Sequence, residues 1–338
     1  MTIRRLSALP ALVLLGLGLA ASVLLALASG ATGFGFAPIR ASDPQMARMI
    51  IMDIRLPRVV LALLVGAGLG AAGAVMQGLF RNPLADPGLI GVSSGAALGA
   101  TLMIVQGPIW FGAGIIARWG IPAGGMLGAC ALTLVLQAMS TRQGGISTNR
   151  LVLAGVALGA LASAATGILL YRANDTALRD LTFWSMGSLS GARWPEIDIL
   201  APLILLALLL LMALTRPLNL LLAGEENAML MGCRVRAVKY LSLFAVTMAV
   251  GPAVSFSGVI GFVGVIVPHL VRLVCGPDHR FLIPGSALLG AILLVLSDTL
   301  ARVIASPAEV PVGIITAGLG APVFIWLLLR LRDQEIPA

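Results

Sequence analysis

Long apolar runs are the feature that most restricts how this chain can fold. Stretches of about 20 mostly apolar residues recur along its whole length, and each is long enough to cross a bilayer as a helix. Apolar residues make up 59% of the 338 residues and charged residues only 11%. A water-soluble fold of this size would need more surface charge. The sequence therefore predicts an all-α polytopic membrane protein.

The apolar runs also predict how many times the chain crosses the membrane. Spans are expected near 8–29, 57–79, 91–107, 120–139, 150–171, 196–215, 238–256, 282–302 and 312–329. A further apolar piece near 260–275 is too short to span easily. We expect it to be a half-helix inside the bundle, because lipid does not tolerate irregular backbone. About ten transmembrane helices result, in a single domain covering 1–338 with both termini cytoplasmic.

Two local patterns refine this prediction. Residues 8–28 follow Arg4 and Arg5 and end in Ala-Leu-Ala, as a cleaved signal peptide does. The run is long for a signal peptide, so we expect a retained first span, with cleavage as the alternative. Gly66, Gly70 and Gly73 have the small-residue spacing that lets helices approach closely.

A polar stretch at about 216–239 contains the sequence GEENAMLMG at 224–232. We expect a short helix here, with Glu225 and Glu226 in the first turn, where the helix dipole favours anions. Gly232 is placed to end that helix. A short amphipathic helix outside the bilayer fits a groove on another protein. An ordinary solvated loop is the alternative.

Three long motifs occur in a fixed order. They are the run from Arg55 that reads RLPRVVLALLVGAGLGAAGAVMQGLFRNPLADPGLIG, the GEENAMLMG segment, and FSGVIGFVGVIVPHLVRLVCGPDHR at 256–280. Together they resemble the FecCD-type permease family, the membrane subunits of ATP-driven importers for ferric siderophores, haem and cobalamin. The resemblance covers about 55–332 and implies a type II ABC importer permease fold. The outer sequence LRDLTFWSMGSLSGARW looks most like haem permeases, followed by ferric siderophore and then cobalamin permeases.

The resemblance implies a set of partners. These are a second copy of the chain, two cytoplasmic ATPase subunits and a periplasmic binding protein, all at the bacterial inner membrane. The only lysine, Lys239, follows Val238, so the Gly-Lys-Ser/Thr of a P-loop is missing. We therefore expect no enzyme activity and no cofactor in this chain, with ATP and magnesium on the partner ATPase. Anionic lipid and that ATPase suffice as counterparts for the basic charge, without nucleic acid.

The resemblance also assigns roles to individual residues. The ATPase-coupling residues are expected to be Gly224, Glu225, Glu226, Ala228, Leu230 and Gly232. Residues expected to dock the binding protein are Arg55, Arg58 and Arg302, although arginines at helix ends also reach toward lipid headgroups. Asp298 lies four residues before Arg302, so the two can pair on one helix face.

The inner mouth of the passage is expected to be closed by Asn82, Leu84, Thr148 and Asn149. Simple turn and cap chemistry explains these residues equally well before the resemblance is considered. Asn149 departs from the small residue that the family has there.

Other features test competing functions. A short re-entrant helix is expected at 185–191, with a plain periplasmic loop as the alternative. His269 is expected to pack or hydrogen-bond rather than to bind haem iron. No dense group of His, Cys or carboxylate residues suggests a metal site. The alternative of another class is an ion-coupled secondary transporter, which needs ionisable residues near mid-membrane. In the predicted spans, only Asp298 comes close to that depth.

Overall fold

The computed structural model describes residues 8–30, 33–34, 43–112, 115–142, 145–146, 148–306 and 308–332. Its helices are α1 Ala8–Ala28, α2 Pro44–Met49, α3 Leu56–Phe80, α4 Val92–Phe111, α5 Ile115–Ser140, α6 Thr148–Tyr171, α7 Asp175–Ser185, α8 Trp194–Ala213, α9 Thr215–Leu221, α10 Glu225–Leu230, α11 Val235–Ser257, α12 Val263–Cys275, α13 His279–Ile304 and α14 Val312–Arg332. The strands are two antiparallel pairs, β1 Ser29–Gly30 with β2 Gly33–Phe34 and β3 Thr141–Arg142 with β4 Gly145–Ile146.

The predicted all-α membrane architecture is confirmed. Among the described residues, eight helices are long and apolar enough to cross a bilayer, and α12 and α14 add two shorter apolar segments. Most helices begin and end within a few residues of the predicted spans. The second span is longer than predicted, because α2 and a π-helical segment, Ile50–Arg55, extend it back to Pro44.

Helix α3 lies at the centre of the bundle, and its glycines set how closely its neighbours pack. A Cβ on Gly66 would overlap the backbone of Gly290 in α13, and one on Gly73 would overlap the backbone of Gly264 in α12. A Cβ on Gly70 would overlap the carbonyl oxygen of Ser286 in the same way. The predicted close approach at these three glycines is therefore confirmed.

Helix α12 is the predicted half-helix. Its 13 residues span about 20 Å at 1.5 Å per residue, less than the roughly 30 Å of a hydrocarbon core. It follows an irregular segment in which Gly258 and Phe262 both have positive φ angles, 70° and 69°. Gly258 packs so closely on the carbonyl oxygen of Trp184 that a Cβ would overlap it. Gly258 is thus covered by protein, as the membrane requires of non-helical backbone, whereas Gly261 is exposed on the surface of this single chain.

The outer helix does not lie where the sequence placed it. The prediction of a helix at 185–191 is wrong, because α7 ends at Ser185 and turns follow it. Asn174 starts α7 by accepting a hydrogen bond from the Ala177 amide at 2.9 Å, a strong capping interaction that we overlooked. Gly187, with φ of 73°, follows the helix end.

Candidate functional site

The segment expected to contact an ATPase is shorter than predicted. Helix α9 occupies the start of the predicted 216–239 range and buries Leu218 and Leu221 against the bundle. Helix α11 already begins at Val235. The part outside the bundle narrows to 222–234, which we call the coupling segment. The predicted range was too wide because apolar residues at its start pack inward.

Helix α10 forms inside the coupling segment as predicted. Gly224 precedes it with φ of 102°, and Glu225 and Glu226 occupy its first turn. Gly232 ends it with φ of 82°, a left-handed conformation that glycine adopts without strain. The amide of Gly232 donates to Met229 O, and that of Cys233 donates to Ala228 O, both at 2.9 Å. This Schellman pattern confirms that Gly232 terminates the helix.

Helix α10 has one attached side and one open side. Ala228 is fully buried, and Glu225 pairs with the buried Lys239 of α11 at 2.8 Å. Leu230 is 86% exposed, and Met229 and Met231 beside it are also exposed. We call these three residues the apolar tip. An apolar surface held out of the bundle in this way is the form that a partner groove recognises.

The first predicted gate loop follows α3. Arg81 ends α3 with φ of 49°, and the Asn82 amide donates to Gln77 O at 3.2 Å. Asn82 Oδ1 accepts from the Leu84 amide at 2.9 Å, so the turn is built by its own side chain. Asn82 is exposed and Leu84 half-buried. Turn chemistry accounts for the local structure, and gating by these two residues stays a prediction.

Asp86 closes the same loop. Its Oδ1 accepts from the Gly88 amide at 2.5 Å at the start of the 3-10 turn Pro87–Ile90. Burial raises the pKa of Asp86, against the opposing effect of that hydrogen bond.

The second predicted gate element begins α6. Thr148 is the first residue of α6, and Asn149 is exposed in its first turn. The side chain of Thr148 lies outside the described set. Helix α6 contacts the Pro87–Ile90 turn. The two predicted gate elements therefore lie on the same side of the bundle, and their gating role stays a prediction.

The three arginines expected to dock a binding protein turn inward. Arg55 is 4% exposed, Arg58 7% and Arg302 6%. Arg58 donates from Nε to Asp298 Oδ1 at 2.9 Å and from Nη1 to Glu309 Oε1 at 2.8 Å. Its donors are thus engaged by carboxylates of its own chain.

Arg302 and Arg55 bind the end of the first span. Arg302 pairs with Asp298 at 3.1 Å, which confirms the predicted pair four residues apart, and donates to Ser29 O at 2.9 Å. Arg55 donates to Leu27 O at 2.5 Å. The side chains of Arg55 and Arg302 therefore do not reach toward lipid headgroups. Their predicted docking of a binding protein stays a prediction.

The sequence reasoning missed Glu309, the fourth member of what we call the outer charge cluster: Arg58, Asp298, Arg302 and Glu309. The Glu309 side chain is 42% exposed, whereas the Asp298 side chain is 2% exposed. A lone carboxylate between Pro307 and Pro311 in a loop next to the arginine-bearing helix end could have indicated it.

The two histidines differ in their surroundings. His269 is buried, and its Nδ1 has no hydrogen-bond partner among the described residues, so a hydrogen-bonding role gains no support. His279 is buried and bonded to Asn219. Within the described ranges, no group of three or more His, Cys, Asp or Glu side chains is placed to hold a metal ion.

Comparison with known proteins shows which family has this architecture. The model of the FecCD transport family matches residues 16–330. The chain belongs to the FecCD transport family. It is 45% identical over 326 residues to the hemin transport system permease protein HmuU of Yersinia pestis, covering 95% of this chain and 97% of that one. It is 44% identical to the cobalamin import system permease protein BtuC of Halobacterium salinarum, over 89% of this chain and 78% of the relative.

Solved structures agree with the family. An ABC transporter of the metal-chelate type in an inward-facing conformation matches with a TM-score of 0.85 and 34% identity, over 94% of this chain and 98% of that one. PsaBC from Streptococcus pneumoniae matches with a TM-score of 0.54 at 18% identity, which shows the fold alone. As a FecCD-family member, the chain is a non-catalytic, multi-pass permease subunit of a bacterial ABC transporter.

Proposed function

We propose that this FecCD-family chain is the permease of an ATP-driven importer that moves haem from the periplasm to the cytoplasm. The observation that carries the proposal is the 45% identity to a hemin permease across 95% of this chain. The match to a metal-chelate-type transporter at a TM-score of 0.85 supports a chelate as cargo.

The proposed assembly contains two copies of this chain, two cytoplasmic ATPases and a periplasmic binding protein. ATP and magnesium bind to the ATPases, and both termini lie in the cytoplasm. Each ATPase receives the apolar tip of α10, and the 86% exposure of Leu230 supports this contact. The binding protein docks over the outer charge cluster, where its acidic groups compete with the half-exposed Glu309 for Arg58. When an acidic group of the binding protein displaces Glu309, the buried arginines pair with that protein.

The proposed passage runs beside α6. The exposed residues of this helix include several that are small: Ala157, Ala160, Ser163, Ala164 and Gly167. A wall of this kind suits a bulky, mostly apolar chelate, whereas a bare ion needs a ring of oxygens or charges. The turns at Asn82–Leu84 and Thr148–Asn149 close the inner end.

The test is uptake by the reconstituted complex. The chain is co-purified with its ATPase, placed in liposomes, and supplied with binding protein loaded with radiolabelled haem, cobalamin or a ferric siderophore. We expect haem uptake that needs hydrolysable ATP and stops with a non-hydrolysable analogue. Uptake of cobalamin but not haem would overturn the cargo assignment. A 44% identical cobalamin permease makes cobalamin the second candidate.

Ion-coupled transport by the permease alone is the competing class. Asp298 is the only fully buried acidic side chain among the described residues, and two arginines neutralise it. A coupling carboxylate must instead be able to gain and lose its ion. Uptake driven by an ion gradient in liposomes that contain the permease without ATPase would establish this class instead.

A further inference from the structure

A partly buried polar cluster, in which only His279 is fully buried, lies on the side of the bundle that carries the coupling segment. We call Asn219, Asp278 and His279 the inner polar cluster. Asn219 Oδ1 accepts from the His279 backbone amide at 2.9 Å and lies 2.8 Å from the His279 Nδ1 atom. Asn219 Nδ2 donates to Asp278 Oδ1 at 2.6 Å. One asparagine side chain thus joins α9 to the turn that starts α13.

The carboxylate of this cluster is held in its charged form. Burial raises the pKa of Asp278, but hydrogen bonds from the Arg280 amide and from Asn219, together with nearby positive charge on Arg280, outweigh it, so the pKa lies below its usual value. A carboxylate that stays charged gives the Asn219 bond extra strength. Because Nδ1 of the buried His279 would lose its partner if Asn219 moved away, at a cost in free energy, this bond favours one geometry of the two side chains.

The inner polar cluster contacts α9, which leads to the coupling segment, and α3, which leads to the predicted gate turn at Asn82–Leu84. Asn219 lies in α9, which ends at Leu221, three residues before Gly224. On the other side, the His279 ring is pressed against Gly78 in the last turn of α3, where a Cβ would overlap Nε2. That turn leads directly into the Asn82–Leu84 turn.

A second approach joins the same two elements. The Arg81 side chain, at the end of α3, reaches toward the start of α10, and its Nη1 lies 3.8 Å from where a Cβ on Gly224 would be. Gly78 O accepts from the Arg81 amide at 3.3 Å, so Arg81 belongs to the turn that His279 contacts. The inner end of α3 therefore lies close to both ends of the α9–α10 connection, through His279 on one side and Arg81 on the other.

We propose that the inner polar cluster transmits movement of the coupling segment to the Asn82–Leu84 turn, with Asn219 and His279 as positioning residues for transport. The inference rests on the proposed function, because it assumes that an ATPase moves the coupling segment. When α9 shifts, the Asn219 bonds carry His279 with it, and the His279 ring moves the last turn of α3. Apolar packing alone would let α9 slide past this turn, whereas directional hydrogen bonds do not.

The test separates transmission from stability. Asn219→Ala and His279→Ala are compared with Asn174→Ala, which removes the asparagine that caps α7, a helix that contains no residue of the inner polar cluster. We expect the two cluster variants to keep ATP hydrolysis within about twofold of the unsubstituted complex while haem moved per ATP falls about tenfold or more. Asn174→Ala should leave the haem moved per ATP unchanged. If complex yield, hydrolysis and uptake all fall in proportion, the cluster is only structural and the proposal is overturned.

A second measurement does not depend on the cargo. A spin label is placed at Leu84→Cys, which keeps the Asn82 side chain and its bond to the backbone amide at position 84, after Cys130, Cys233 and Cys275 are replaced by serine. We expect ATP to change the label's mobility in the complex, and Asn219→Ala to abolish that change. A label that responds equally in Asn219→Ala, or that never responds with the cluster intact, overturns the inference. Failure of haem uptake with an ATP-responsive label would count against the cargo assignment alone.

Discussion

At the scale of single residues, Asp298 is the side chain on which the outer charge cluster depends. It is 1% exposed and pairs with both Arg58 and Arg302. Asp298→Asn would leave two buried guanidinium groups without their shared anion, and breaking a buried ion pair costs about 3–5 kcal/mol. We expect a loss of that size in the free energy of unfolding, measured in detergent by tryptophan fluorescence.

Glu309→Gln is the matched control for that change. Its side chain is 42% exposed and its pair with Arg58 is partly screened by solvent, so we expect a loss below about 1 kcal/mol. Equal losses for the two variants would mean that burial does not determine the strength of this cluster.

Asp86 gives a pH-dependent prediction. Burial raises its pKa in the folded chain, so its contribution to stability is greatest at low pH and is lost as pH rises through the folded pKa. Asp86→Asn keeps an acceptor for the Gly88 amide and removes this titration. We expect Asp86→Asn to be more stable than the unsubstituted chain at neutral pH, with the difference shrinking toward about pH 4. Melting curves across this range measure it; a difference that grows on acidification would contradict the sign.

At the scale of elements, the need for glycine at the end of α10 comes from its backbone conformation and not from a lack of space for a side chain. An added Cβ at Gly232 meets no atom within 4 Å, yet φ is 82°. A non-glycine residue there costs about 1–2 kcal/mol. We expect Gly232→Ala to fray α10, lowering ATPase co-purification and haem uptake while the permease still assembles.

The control for Gly232→Ala is Gly16→Ala in α1. Gly16 also has open space around it and lies within a regular helix, so alanine there should be neutral or slightly stabilising. If Gly232→Ala binds the ATPase as tightly as Gly16→Ala does, helix termination is not needed for coupling.

At the scale of the whole molecule, the sequence predicted what depends on length and local chemistry. Apolar runs determine the spans, because a bilayer of fixed thickness selects helices of fixed length. Gly232 was identifiable because helix termination is a property of adjacent residues. The half-helix near 260–275 followed from an apolar run too short to cross.

Contacts between residues distant in sequence were not predictable in the same way. Arg58 meets Asp298 across 240 positions, and Asn219 meets His279 across 60. A lone arginine at a helix end reads equally as a lipid contact, a docking group or half of an internal pair. Only the packing of α3 against α13 decides which partner is within reach.

That central packing gives the last prediction. Gly73→Ala puts a Cβ into the backbone of Gly264, so α12 must move away from α3. Overpacking of this kind costs about 1–3 kcal/mol. Gly68→Ala on the same helix meets an Ile204 methyl group at 3.4 Å and the Ala249 carbonyl oxygen at 3.6 Å, which are ordinary contacts. We expect Gly73→Ala to lower both thermal stability and uptake, and Gly68→Ala to change neither. If the two variants melt at the same temperature, the half-helix is not held by close approach to α3.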